Sequence, residues 1–451
     1  MTEEISDIEY KKQLINNKEI FKVDFDENLE IFSYKNCGND SSDFIKTCRS
    51  TVFCGDKVIS RGMVFTPEFT ENNIDSAFGS VFLGTAEKPA PEGPWSAVGD
   101  LERPPKHSTG HYLADPSPPP LWSVQWDQCI FNKSYEGFLI RIFYSCEKWY
   151  VTTNKRLNAF KSFWSSRESF GNIFVSALKA GVGFDRELKD RINETDDILN
   201  NFLNCLFKNC QYNFIVSNTN ENRIVCDAPP INTVYHISTF EQAASPMSTS
   251  DKPAAERSIQ KVAPPLEELY NRQIEVDSEN SYIGIPSPEK LTFKSIDELK
   301  KYVFNIDIRL YQGVICKNNL NQCKIMNSMY KKLVEVRGNE ASLPFRYLQL
   351  RRENNFTDLN YFYKLYPSVL PKIHEIENKI KITCQYMYEL YISRYIKKIN
   401  SDKLPPEQYI FLKNCHFDYI NTRNYVRKST IFDKINSITA VALNKLLKTI
   451  N

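Results

Sequence analysis

The 451-residue sequence predicts an α+β protein, an antiparallel-sheet portion followed by an all-helical tail. Three observations carry this. Short β-branched and aromatic runs bounded by turn residues recur before Tyr330, and apolar residues step by three or four after it. Two segments of foreign composition, rich in Pro, Ala, Gly and Ser, interrupt the first portion.

In chain order, residues 51–54, 57–59 and 62–65 read as short strands separated by Gly-Asp and Arg-Gly turns. Segment 86–120, with its Ser117-Pro118-Pro119-Pro120 run, lacks periodicity, as does 242–265; both are expected to be disordered surface insertions. Residues 138–144 and 149–153 form a predicted hairpin through a turn at 145–148, with Trp149 as core. Residues 212–216 and 222–226 form a second, and 310–316 is the last clear strand. Beyond it, Ile373, Ile376, Ile380, Met387, Leu390, Tyr391 and Tyr395 make a helical stripe. Thr430 followed by Asp433 is expected to cap a final helix carrying Ile431, Ile435, Ile438 and Leu446. The expected domains are 1–339 and 340–451.

Hydrophobic residues make up 41% and charged residues 25%, enough apolar material for a core. A net charge of +2 argues for no partner, but 18 Lys and Arg face only 10 Asp and Glu from Glu340 onward. That excess suits a phosphate-bearing partner; solvated helix faces are the plainer explanation. No apolar run reaches the roughly 18–20 residues of a membrane span, and the acidic, polar N-terminus does not read as a signal peptide. A cytoplasmic protein with no membrane partner is expected. The 12 cysteines form no zinc-type spacing, and 5 histidines leave little for histidine-based metal or nucleophile chemistry, so no metal site is expected.

Four patterns occur in a fixed order: Ser60-Arg61-Gly62-Met63-Val64-Phe65; Lys133-Ser134-Tyr135-Glu136-Gly137; Tyr212-Asn213-Phe214-Ile215-Val216 running into Asn222-Arg223-Ile224-Val225; and Gln312-Gly313-Val314-Ile315 with Lys324-Ile325-Met326 and Tyr330 behind. The set resembles the phage-type, tRNA-repair RNA ligases among the covalent nucleotidyltransferases. In that family an Arg-Gly-x-x-Phe strand precedes Lys-x-Asp-Gly. Phe-Glu-Phe and Asn-Arg-Ile-Val, Glu-Gly and Lys-x-Lys follow, and a helical domain ends the chain. The resemblance implies an ATP-grasp-like ligase nucleotidyltransferase domain. It also implies ATP and Mg as cofactors, if the chain is active, and RNA as partner. Ser134-Tyr135-Glu136-Gly137, the downstream Lys148-Trp149-Tyr150 and Phe345-Arg346-Tyr347-Leu348 are similar to virus-encoded versions, which implies an infected host cell and viral protein partners.

The chemistry of that family needs a lysine amine to attack the α-phosphate of ATP, carboxylates to hold a divalent metal, and paired lysines on the transferred phosphate. Here Ser134 stands at the nucleophile position. Lys133 lies one residue early, on the opposite strand face unless a bulge re-aims it; a solvated lysine is the plainer reading. Asn213 and Gln312 replace two glutamates, and Met326 replaces the second lysine of the pair. Such a chain is expected to have lost the reaction. Arg61, Glu136, Gly137, Arg223 and Lys324 keep the family's character and, with Ser134, Asn213, Gln312 and Met326, are expected to line a nucleotide or phosphate pocket. A turn residue, a strand ion pair and a surface charge are the plainer roles for Arg61, Arg223 and Lys324. In the tail, Arg346, Arg351, Arg352, Lys397, Lys398, Arg427 and Lys428 are the expected RNA-phosphate contacts.

Overall fold

The computed structural model describes residues 6–77, 126, 129–218, 223–242, 283–318, 322–399 and 403–450. Both expected insertions, Gln242 aside, lie outside these residues. The chain divides into two compact units, Met1–Ser328 and Met329–Asn451. The sequence break at 339/340 falls inside the second.

The first unit opens with α1 (Asp7–Asn16), β1 (Ile20–Phe25), β2 (Leu29–Tyr34), α2 (Asp43–Thr47), β3 (Thr51–Cys54) and β4 (Lys57–Ser60). Its strands form an antiparallel sheet in the order β1-β2-β3-β4. Next come β5 (Glu68–Thr70), α3 (Ile74–Ala77), β6 (Ile130–Ser134), β7 (Phe138–Ser145) and β8 (Lys148–Thr152). Helices α4 (Phe170–Ala180), α5 (Arg186–Ile192) and α6 (Ile198–Leu203) precede β9 (Cys210–Ser217), β10 (Thr233–Glu241) and β11 (Lys290–Leu291). Helix α7 (Ile296–Asn305) and the hairpin β12 (Gly313–Lys317) and β13 (Gln322–Met326) follow. A second sheet runs β10-β9-β7-β8 and a third β11-β6-β12-β13-β5, in which β13 and β5 pair in parallel.

Strand alternation decides what each sheet buries. On β7, Ile140 and Ile142 enter a core with Phe174 of α4 and Phe202 of α6. The intervening Arg141 and Phe143 face the other way, where Phe143 packs with Leu29, Ile31 and Val52 of the first sheet. On the third sheet, Phe131, Val314, Cys316, Cys323 and Ile325 pack with Leu299 and Val303 of α7. Trp149 packs, half-buried, against the second sheet's core.

Three expected strands differ. Residues 62–65 make no ladder; the Phe65 amide bonds to the Lys46 carbonyl at 3.0 Å instead. Instead of 222–226, β9 pairs with β10 on its free side, while 224–226 form bends and Asn222 lies outside the described residues. The last strand begins at Gly313, because the amides of Leu310 and Tyr311 close a turn onto the Asp307 carbonyl at 2.9 and 3.2 Å.

Helix α8 (Ser328–Arg337) crosses the unit boundary. The second unit continues with α9 (Leu343–Glu353), α10 (Phe356–Leu365), α11 (Leu370–Tyr391), a π-helical turn at Ile392–Ile396, α12 (Pro406–Thr422), α13 (Lys428–Ser437) and α14 (Ala440–Lys448). Ile373, Ile380, Met387, Leu390 and Tyr391 of the expected stripe are buried. The expected final helix is two helices. Arg427 stands at the N-cap of α13, with its amide bonded to Thr430 Oγ1 at 3.1 Å. Thr439 caps α14 by accepting the Ala442 amide at 3.2 Å. A threonine hydroxyl competes well for amides at a helix start, and this one ends the run at Ile438.

Candidate functional site

The second and third sheets meet where the chain passes from β6 to β7 through Tyr135-Glu136-Gly137. The register of β6 is regular, with Ser134 opposite Gly313 and Lys133 opposite Val314. Gly313 in turn faces Met326, and Ile315 faces Lys324. Ser134, Gly313 and Met326 therefore share one face of the third sheet with Lys324, and Lys133 falls on the α7 side. No bulge interrupts β6. Gly313 must be glycine, since a Cβ there would collide with the Ile325 carbonyl oxygen.

On the Ser134 face, buried Gln312 is bound to the Ser134-Tyr135 segment. Its side-chain amide donates to the Tyr135 carbonyl at 3.1 Å, and its oxygen faces Ser134 Oγ at 3.5 Å. An amide oxygen is a weak base and does not activate a hydroxyl. Lys324 Nζ is 3.1 Å from Glu68 Oε1 on the neighbouring strand. Met326 is buried.

On the opposite face, Lys133 Nζ is 2.7 Å from Glu289 Oε2 and lies 4.5 Å from the centre of the Tyr311 ring. Burial alone lowers this ammonium's pKa, but the Glu289 hydrogen bond and charge outweigh it, with Tyr311 and Tyr302 adding in the same direction; the net shift is upward. Tyr135 stacks on Tyr235 at 4.4 Å and meets Tyr311 edge-on at 5.6 Å. Burial, then the neighbouring tyrosines, push the Tyr135 phenol up.

Glu136 ties two segments together. Its carboxylate accepts the amides of Ile224, Val225 (2.7 Å) and Cys226 (2.9 Å), and its carbonyl accepts Ser217 Oγ. Gly137 allows this turn, because a Cβ would collide with the Val216 carbonyl oxygen. Arg223 contacts Asp227 at 3.5 Å.

Asn213 lies on the face of the second sheet turned away from α4. There it forms a cross-strand row, Thr152–Arg141–Asn213–Ser238. Asn213 donates to Ser238 Oγ at 3.2 Å. Arg141, 4% exposed, donates to the Ser50 carbonyl at 2.7 Å and faces Thr152 Oγ1 at 3.4 Å. Its Nη2 is buried without a hydrogen-bond partner among the described residues. No carboxylate stands in the row, and burial pulls the guanidinium down to about 9. The Arg61-Gly62 segment is fastened to this side, since Gln211 donates to the Arg61 carbonyl at 2.9 Å and accepts from Ser60 Oγ at 2.6 Å. The Arg61 guanidinium lies 4.7 Å from the Tyr10 ring centre.

Sequence reasoning missed Arg141, Tyr235, Tyr311, Glu68 and Glu289. Arg141 carried a signal, a lone charge inside Phe138-Leu139-Ile140-Arg141-Ile142-Phe143. The ion-pair acids carried none, because their partners come from distant segments. Among the described residues no three His, Cys, Asp or Glu side chains gather as metal ligands, and no helix is long and apolar enough to cross a membrane.

In the second unit, Arg346 is held within the protein, donating to the carbonyls of Val336 and Glu335 at 2.9 and 3.0 Å and to Gln349 at 3.0 Å. Arg351 bridges Glu377 at 2.6 Å and Asn436 at 2.7 Å. Both act as internal fasteners, in place of the open phosphate contacts expected. Arg352, Lys397, Lys398, Arg427 and Lys428 are exposed.

No family model matches the chain. It is 25% identical over 363 residues to an immediate-early protein ICP-46 homolog of Invertebrate iridescent virus 3, covering 77% of this chain and 68% of that one. To the homolog of Invertebrate iridescent virus 6 it is 27% identical over 324 residues, covering 70% of this chain and 64% of that one. The chain thus spans about two thirds of the length of these relatives. Among solved structures, an archaeal ATP-dependent RNA ligase is similar at a TM-score of 0.36 and 11% identity, over 81% of this chain and 75% of that one.

Proposed function

We propose that this is a virus-encoded, RNA-ligase-like protein of the infected-cell cytoplasm that binds RNA ends or a nucleotide without adenylylating itself. The observation that carries the reading is the parity of β6. The residue at the nucleophile position is Ser134, and the adjacent amine, Lys133, lies on the far face in an ion pair with Glu289. The positions where the ligase scheme needs carboxylates hold Gln312, bound to the Tyr135 carbonyl, and Asn213, beside a buried arginine. A divalent cation next to an uncompensated guanidinium is disfavoured.

RNA affinity is assigned to the exposed cations of the second unit, Arg352, Lys397, Lys398, Arg427 and Lys428, acting on phosphates. Titrating a labelled single-stranded RNA at several salt concentrations tests the binding half. Affinity should fall steeply with salt and tolerate sequence changes. Absence of RNA binding at low salt would favour a purely structural or scaffold role beside viral protein partners. Transfer of label from ATP to the protein in the presence of Mg would instead mark an active ligase.

A further inference from the structure

The second unit carries a run of rings that continues outward from its core. Tyr391, at the end of α11, is buried, and its hydroxyl lies 3.2 Å from His416 Nδ1 on α12. Tyr395, in the π-helical turn, stacks on His416 at 4.1 Å and 23°. Tyr419 stacks on the same imidazole at 5.8 Å and 27°, and Tyr425 follows Tyr419 at 6.4 Å and 35°. The run thus goes from a ring 1% exposed to one 77% exposed. Burying apolar area does not explain an almost wholly exposed tyrosine at the end of a stack.

Exposed basic residues neighbour these rings in the sequence. Lys397 and Lys398 follow the π-helical turn, Arg423 lies between Tyr419 and Tyr425, and Arg427-Lys428 come directly after; all are exposed. Lys398 and Arg423 both have left-handed backbone, at φ 55° and 59°. Glycine or asparagine takes such positions most easily, so a long cation in each sits there at a backbone cost. Asp418, on the same helix, is paired with Lys434 at 2.6 Å.

We propose that this ladder, ending on Tyr425, stacks unpaired bases of single-stranded RNA while the neighbouring cations hold the flanking phosphates. The inference rests on the RNA-binding reading above and adds to it the substrate class, an unpaired strand. Every base offers a π-face to an exposed ring, so stacking is sequence-tolerant; in a duplex those faces are already covered. The apolar side chains Ile410, Phe417 and Ile420 on α12 are also exposed. A partner helix is the competing occupant, but the charge neighbouring the rings favours a polyanion.

The probe is a short, fluorescently labelled oligouridylate titrated into the full chain, with the same strand annealed to its complement as comparison. Tyr425→Ala should weaken single-strand binding by about tenfold, the effect of losing one stacked base. The slope of affinity against salt should stay unchanged. Tyr425→Phe should keep the affinity, and Tyr425→Trp should keep it and show indole emission quenched on binding. Replacing Lys397 and Lys398 together by Gln should flatten the salt slope. Wild-type affinity intact in Tyr425→Ala, with no quenching in Tyr425→Trp, would overturn the ladder and leave phosphate-led RNA binding standing. Equal affinity for single strand and duplex would do the same. A wild-type chain that binds no oligouridylate at low salt would overturn both.

Discussion

The Lys133 ammonium and the Glu289 carboxylate form an ion pair at 2.7 Å, on the face of β6 opposite Ser134. An amine held in this way is protonated at neutral pH and cannot attack a phosphorus atom. After incubation with ATP and Mg or Mn, the intact mass of the protein should therefore be unchanged. Lys133→Ala should give the same result as wild type. A gain of one AMP that disappears in Lys133→Ala would overturn the non-catalytic reading.

Restoring the ligase-type residues one at a time should fail, and the Arg141 row gives a specific reason. A carboxylate at position 213 would stand directly across from a buried guanidinium that has no acidic partner among the described residues. Asn213→Glu is expected to stabilise the fold by about 1–2 kcal/mol through a charge-assisted pair rather than create a metal ligand. Urea denaturation of Asn213→Glu, Arg141→Met and the double variant gives the coupling energy. A strongly destabilised Asn213→Glu, with no coupling to Arg141, would show that the pair does not form.

Glu136 is expected to matter for stability. Its carboxylate accepts three consecutive amides from 224–226. Glu136→Ala removes the carboxylate that these donors share and should cost on the order of 3 kcal/mol. Chemical denaturation measures this. A loss under about 0.5 kcal/mol, the usual scale for surface substitutions, would mean that the bonds to 224–226 do not hold the segment.

Stability should also fall in mild acid through His236. Its ring is buried, with Nε2 2.9 Å from Thr239 Oγ1, and burial pulls its pKa from 6.5 to about 4. The unfolded chain takes up the proton near 6.5 and the folded chain does not until about 4. The contribution is thus complete above the higher value and lost progressively down to the lower one. It amounts to on the order of 3 kcal/mol. In His236→Gln, the dependence of unfolding free energy on pH between those values should flatten. An unchanged slope would assign acid sensitivity to other groups.

Much of the fold was legible because its signals are local. The β7–β8 hairpin, β3, β4, β9 and the α11 stripe follow from alternation, helical period and turn residues alone. What failed was pairing. Asn222–Cys226 looked like a strand because Ile224 and Val225 are β-branched, yet the amides of 224–226 bond to Glu136 from a distant segment. The parity of Lys133 and Ser134 could be read from the sequence, since a strand has only two faces. That Lys133 meets Glu289 could not, since 156 residues separate them. Arg346 and Arg351 looked like a basic patch, and whether a cation meets solvent or a carbonyl depends on helix packing that composition does not encode.

The π-helical turn at Ile392–Ile396 works as a slip in a screw thread. An α-helix advances about 100° per residue, and a π-turn fits one extra residue into the turn. Residues within the slip are therefore out of phase with the α11 stripe that leads into it, and the helix ends there, with Lys397 at its C-cap. Tyr391 remains in phase with the core, whereas Tyr395, one turn later, is re-aimed across His416. Removing one residue from 392–394 would restore the thread and swing Tyr395 away from the imidazole. A local change of helical pitch, with no change in residue chemistry, is thus enough to aim Tyr395 at His416 while Tyr391 stays in the core.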